Sequence, residues 1–339
     1  MLQMKGKQSV LFQEPVKIMS HACVGGKKEG EGPIGKHLDL IVDDPMFGKE
    51  NWEESESSFL KTAGEIAIRK GKKKKEDVRM AFCGDLLGQL IASSFGIAEL
   101  GIPYYGVYGA CSSIGAALSI GAMVNGGFAD LVLTGCSSHF ASAEKEFRFP
   151  LGYGSQRPYS ATWTVTGAGA FLLNTQKGDV QIRGITTGKI KDYGVQDPFN
   201  MGACMAPAAA DTIYQSLLDF EMKPEDFDQI ITGDLGSVGQ KLLFELLDEN
   251  HKDIKKNHMD CGMQIFDAGS QDTHAGGSGC ACSALMLSAV ILPKIASGEW
   301  KKVLFVPTGA LLSQVSANEG RTIPAIAHAV WLESGKEKK

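Results

Sequence analysis

Tyr108-Gly109-Ala110-Cys111-Ser112-Ser113-Ile114-Gly115 is the stretch on which the reading of this chain turns. An apolar run ending in Tyr104-Tyr105-Gly106-Val107 leads into it. Ala116-Ala117-Leu118-Ser119-Ile120-Gly121-Ala122-Met123-Val124, small and uncharged, leads out. The pattern predicts a strand, a tight turn and a helix, with Cys111 at the helix start. Unpaired backbone N–H groups and the positive end of the helix dipole gather there, and both favour a thiolate. Gly109, Ala110, Gly115 and Ala116 are small enough for backbone to approach a ligand closely. A cysteine on a small-residue helix is otherwise a buried, inert side chain. What favours the ligand-facing reading is a second copy of the pattern.

Glu76-Asp77 with Gly84-Asp85-Leu86 recurs without a gap as Glu225-Asp226 with Gly233-Asp234-Leu235, an offset of 149. Ala110-Cys111-Ser112 recurs as Ala281-Cys282-Ser283, an offset of 171. Helical spacing precedes each first landmark, over residues 59–70 (with Ser57-Ser58 as N-cap) and 208–220. An alanine-rich helix, a glycine (Gly127, Gly298) and a strand (131–134, 303–306) follow each second landmark. Further strands are predicted at 16–20, 78–83 and 166–173, and a helix at 90–100. Residues 25–35 and 43–54 read as loops. Repeated order of elements implies two similar α/β halves about a pseudo-two-fold axis: residues 1–178, carrying Cys111, and 179–339, carrying His274.

At 339 residues the chain is long enough for such a duplication, and a net charge of −5 gives no general case for nucleic-acid binding. Lysines 72–75 are followed by Glu76-Asp77 and read as a solvated loop. The eight cysteines show no CxxC and no disulfide spacing, and Cys280-Ala281-Cys282 lacks a partner pair, so neither a disulfide framework nor a metal site is expected. No signal peptide is read at the N-terminus, and no run of eighteen apolar residues suggests a membrane span. The expectation is a cytosolic protein, at most peripheral to a membrane through partners.

Gly167-Ala168-Gly169-Ala170, and Thr273-His274-Ala275-Gly276-Gly277-Ser278-Gly279, together with the duplicated halves and Cys111, resemble the thiolase and ketoacyl-synthase superfamily. The resemblance implies a layered α/β/α/β/α fold, a homodimer, Cys111 as nucleophile and His274 as base or hydrogen-bond donor. Within the superfamily, Asp197-Pro198-Phe199-Asn200-Met201-Gly202-Ala203-Cys204-Met205-Ala206-Pro207 and Gly269-Ser270-Gln271-Asp272-Thr273-His274 are similar to segments of the stage V sporulation protein AD family of spore-forming bacteria. That branch implies binding of dipicolinic acid (pyridine-2,6-dicarboxylate) and its uptake into the developing spore with membrane proteins of the same operon. It also implies a peripheral place on the cytoplasmic side of the forespore inner membrane.

The chain departs from the superfamily pattern at two points. Thr232-Gly233-Asp234-Leu235 stands where synthases carry a second histidine, and Val306-Pro307-Thr308-Gly309 where thiolases carry a second cysteine. An aspartate repels a developing oxyanion, and threonine-glycine cannot abstract a proton as a thiol does. A site kept for binding is therefore expected, the alternative being an acyl-transfer or condensing enzyme acting through Cys111. Backbone N–H groups at Cys111-Ser112 and Gly276-Gly277 are expected to take one ligand carboxylate, with Thr308 and Gly309 in the same pocket. Protonated His274 would take the other, and Arg148, Arg157, His139 and Tyr159 are further candidates. If the acid arrives as its calcium chelate, Asp85 or Asp234 would help hold the ion. No other cofactor is expected.

Overall fold

A computed structural model describes residues 2–147 and 157–335. The first half contributes β1 (Leu2–Lys5), β2 (Ser9–Gly26), β3 (Leu40–Val42), β4 (Met80–Gly84), β5 (Tyr104–Gly106), β6 (Val132–Ser138), β7 (Trp163–Thr164) and β8 (Gly167–Asn174). The second contributes β9 (Val180–Thr186), β10 (Gln229–Thr232), β11 (His258–Asp260), β12 (Gly277–Ser278), β13 (Lys302–Val306), β14 (Thr308–Ala310), β15 (Ala325–Ala327) and β16 (Ala329–Ser334). The main sheet runs β11-β10-β13-β16-β9-β2-β8-β6-β4-β5, with β1 and β3 attached to β2.

Outward from the centre, β2-β8-β6-β4-β5 and β9-β16-β13-β10-β11 repeat one chain order. Their directions match as well: the inner two pairings of each half are antiparallel and the outer two parallel. β2 and β9 pair antiparallel between the halves, as a two-fold axis requires. The sequence offsets reappear in the register, where Met80 faces Val132 and Gln229 faces Val303. β2 is longer than the predicted strand at 16–20 because it serves both halves, with shifts of register where it turns from β9 to β8.

Helices Trp52–Lys70 and Met201–Asp219 are also 149 apart, and each follows an asparagine. Asn51 Oδ1 accepts from Glu54 N at 2.8 Å, and Asn200 Oδ1 from Ala203 N at 3.4 Å. These caps satisfy N–H groups that the helix itself leaves unpaired. Ser57 and Ser58 are therefore not the cap; inside the helix they donate to the Glu53 and Glu54 carbonyls, each at 2.9 Å.

Alternation along the strands sorts the core into three layers. Leu133 of β6 joins Phe59, Leu60 and Ala67 on one outer face, while Leu304 of β13 joins Met205, Ala209 and Ile213 on the other. Their neighbours Val132 and Phe305 point inward, onto Ile114, Leu118, Leu285 and Ile291. Helix Ser113–Gly127 and the helical run from Cys280 to Ser297 thus lie between the two halves of the sheet, giving the five-layered α/β/α/β/α arrangement. The run from Cys280 to Ser297 is long and apolar enough to cross a membrane, but 72% of it is buried inside the fold.

Candidate functional site

Helix Ser113–Gly127 starts two residues after Cys111, and Ala110 before it takes the left-handed conformation, φ 48°. Small hydrogen bonds close this turn. Ser112 Oγ donates to Gly109 O at 2.6 Å, Ser113 Oγ to Ala110 O at 2.7 Å, and Gly109 N to Ser113 Oγ at 3.1 Å. The second half braces it from both sides. Cys280 Sγ donates to Ala110 O at 3.1 Å, and Gly309 lies so close that a Cβ there would stand 2.2 Å from Gly109 O. The matching Cys282 sits two residues inside its helix, which starts at Cys280, and is wholly buried. The two tripeptides agree in sequence while their helix starts differ by four residues. Cys111 reaches a cavity and Cys282 does not.

That cavity measures about 50 Å³, in a measure where one water takes about 10–15 Å³. Leu86, Ala143, Phe147, Met201, Met205, Ala310 and Leu312 give it mostly apolar walls, and Cys111, Thr162, Thr164, Asp234 and Ser278 supply its polar atoms. Asp234 is the organising group. Its carboxylate accepts from Gly279 N at 2.9 Å and from Thr308 Oγ1 at 2.9 Å, and it lines the cavity together with Cys111. Thr308 Oγ1 in turn accepts from Asp234 N at 3.1 Å. Burial pushes the Asp234 carboxyl up to about 6 against the pull of these donors. Behind it Asp260 holds the loop, accepting from Thr232 Oγ1, Leu235 N and Gly236 N at 2.7, 3.0 and 3.1 Å.

The Cys111 thiol is pushed well above its ordinary value, first by burial and then by the Asp234 charge. This runs against the helix-start argument for a thiolate. The helix dipole begins two residues too late to help, and a buried carboxylate faces the sulfur. Both effects favour the neutral thiol over the thiolate.

The other candidates divide. Ser112, Thr308 and Gly309 belong to the framework that fixes Cys111 and Asp234. The glycine segment reaches the cavity through Ser278 and Gly279; Gly276 O is taken by Trp163 N at 2.9 Å, and Gly277 pairs with Trp163. His274 does not line the cavity. Its Nδ1 lies 2.8 Å from Pro158 O, its Nε2 3.2 Å from Asp272 Oδ1, and its ring centroid 5.7 Å from that of Tyr159. Arg157 joins this outer cluster, donating to Asp272 O at 2.9 Å and Oδ2 at 2.5 Å. His139 Nδ1 accepts from Ala141 N at 3.1 Å, so Nε2–H donates to Pro45 O at 2.9 Å, and burial lowers its pKa. Asp85 is spent on Leu87 N, Ser93 N and Ser93 Oγ at 2.8, 2.7 and 2.5 Å. Arg148 lies outside the described residues. Among the described residues, no cluster of three or more His, Cys, Asp or Glu could hold a metal ion.

Thr162, Thr164, Ser278, Met201 and Met205 were not foreseen. The two methionines had a signal in the segment from Asp197 to Pro207, since residues four apart on a helix share a face.

Comparison with known proteins agrees with this architecture. A profile of the family "Stage V sporulation protein AD (SpoVAD)" matches residues 6–333. Stage V sporulation protein AD of Bacillus subtilis (strain 168) is 40% identical over 333 residues, covering 98% of both chains. Among solved structures, 3-oxoacyl-[acyl-carrier-protein] synthase III of Aquifex aeolicus is 15% identical, with a TM-score of 0.57 over 94% of this chain and 99% of that one. OleA of Xanthomonas campestris gives a TM-score of 0.59 at 13% identity, covering 95% of this chain and 99% of that one. The last two establish the thiolase-like fold alone. The first two, spanning nearly the whole chain, carry the conclusion that it belongs to the stage V sporulation protein AD family.

Proposed function

We propose that this chain binds dipicolinic acid without covalent chemistry, in the cavity beside Cys111. In this reading it supports uptake of the acid into the developing spore with membrane proteins of the same operon. The observation that carries the proposal is the buried Asp234 carboxylate lining the same cavity as Cys111. Its charge, after burial, raises the thiol's pKa, and no described residue lining the cavity is a histidine. A small, mostly apolar cavity suits an aromatic ring, and the hydroxyls of Thr162, Thr164 and Ser278 supply donors to carboxylates. Asp234 opposes an anion while ionised. Affinity for the free acid should therefore rise as pH falls through about 6, where Asp234 takes a proton. Bound as a neutral calcium chelate, the ligand would lose that dependence.

Calorimetric titration tests the reading, with phthalate as shape control. Saturable heat with dipicolinate is expected, weakened by Cys111→Ala and by the cavity-filling Met205→Trp, and unchanged by His274→Ala. Acyl thioesters should leave the mass of Cys111 unaltered. Absence of binding heat from the wild-type protein, with and without calcium, would overturn the proposal.

A homodimer is part of the same reading. β5 forms an edge of the main sheet, and Phe95, Tyr105 and Tyr108 around it are exposed, a combination that invites pairing with a second chain. Sedimentation equilibrium should give twice the chain mass, and Tyr105→Glu should halve it.

A further inference from the structure

The duplication supplies an internal control on surface charge. Between Arg69 and Arg79 the chain leaves helix Trp52–Lys70, makes a short turn and enters β4. Between Leu218 and Asp228 it makes the same turn 149 residues later. The two turns share the groups that build them. Asp77 Oδ2 accepts from Lys74 N at 2.8 Å, and Asp226 Oδ2 from Lys223 N at 2.7 Å. Val78 and Phe227 are buried at equivalent positions.

Charge is not shared. The first turn carries Arg69, Lys70, Lys72, Lys73, Lys74, Lys75 and Arg79 against Glu76 and Asp77. The second keeps only Lys223 as a cation and carries Asp219, Glu221, Glu225, Asp226 and Asp228. The fold therefore does not need six of the seven cations, whose counterparts are Leu218, Asp219, Glu221, Met222, Pro224 and Asp228; only Lys74 has a lysine opposite it. Every one of the seven is exposed. Lys70 pairs with Asp39 at 2.5 Å, while the other six form no ion pair among the described residues. Arg69, Lys73 and Lys75 converge on a shallow hollow of about 300 Å³, which Glu65 and Glu99 also border. Glu99 is already paired with Lys61.

We propose that this basic turn is a docking surface for an anionic phospholipid bilayer. A protein partner would call for an apolar centre to the patch, and none of the exposed large hydrophobic residues lies between Glu65 and Met80. Nucleic acid would call for stacking rings or a wider basic face, while the chain as a whole carries −5. Clustered lysines without fixed partners are point charges suited to a diffuse layer of headgroups. The inference does not depend on what the cavity holds.

The test is co-sedimentation of the full chain with vesicles of phosphatidylcholine containing about one third phosphatidylglycerol, at about 0.1 M salt. Wild-type protein should pellet with these vesicles, stay in solution with phosphatidylcholine alone, and be released at about 0.5 M salt. The variant Lys72→Glu/Lys73→Met/Lys75→Pro installs residues that the equivalent turn already carries, so it is expected to fold, and it should partition at least ~10-fold more weakly. Lys72→Gln/Lys73→Gln, a gentler pair, should weaken partitioning in the same direction. Equal partitioning of wild type and both variants would overturn the proposal. So would failure of the wild type to bind anionic vesicles, including a case where it is retained on DNA or on an acidic protein instead.

Discussion

At the scale of single residues, one carboxylate and one thiol decide the character of the cavity. Asp234 and Cys111 line the same cavity, and the Asp234 charge raises the thiol's pKa. Removing the charge while keeping the shape should make the sulfur more acidic, because the Asp234 charge is the largest cause after burial. Asp234→Asn is expected to speed alkylation of Cys111 by iodoacetamide at pH 8 on the order of ten-fold, the effect of one pKa unit on thiolate population. Peptide mapping would locate the adduct. A rate equal to or below that of the wild type would show that Asp234 does not suppress the thiolate. The sequence signalled this pair only in part. Asp234 was legible as a departure from a pattern, whereas its place beside Cys111 in one cavity required the halves to be brought face to face. Likewise, no local signal separates His274 in its outer cluster from a histidine aimed into the cavity.

At the scale of elements, the helices and strands were largely readable because the chain states them twice. Misreadings fell where a side chain with two uses decided the outcome. Ser57-Ser58 resembles an N-cap, but Asn51 takes that role, and the serines are absorbed into the helix. The same helix carries Glu56, fully buried, which accepts from Ser137 Oγ at the end of β6 at 3.1 Å and from Ser142 Oγ in helix Phe140–Phe147 at 2.6 Å. Burial, with the Asp85 carboxylate nearby, pushes Glu56 up to about 8. Its folded-state value lies above its unfolded one, so its proton stabilises the fold fully at low pH. That contribution is lost as pH rises towards 8, by up to ~1.4 kcal/mol per pH unit. Glu56→Gln does not titrate. The melting temperature of the variant, measured against wild type, should therefore climb steadily from pH 5 to 8 and level off above. A difference that is flat with pH would mean that Glu56 is ionised throughout.

At the scale of the whole molecule, the duplication sets both what is preserved and what is free to diverge. Two five-stranded units joined through β2 and β9 enclose a middle layer of helices, and that layer places residues from both halves around one cavity. Cys111 and Ala110 come from the first half, Asp234, Ser278 and Gly279 from the second. The order, direction and register of the strands are repeated; the helix starts at Ser113 and Cys280, and the charges of the two surface turns, are not. The central claim is that the pocket persists as a binding site. A crystal structure of the protein with dipicolinate tests it most directly. Ligand density is expected within the cavity between Cys111 and Ser278-Gly279, with the sulfur unmodified. Density confined to the outer cluster of Arg157, Tyr159 and His274, or a covalent adduct on Cys111, would contradict it.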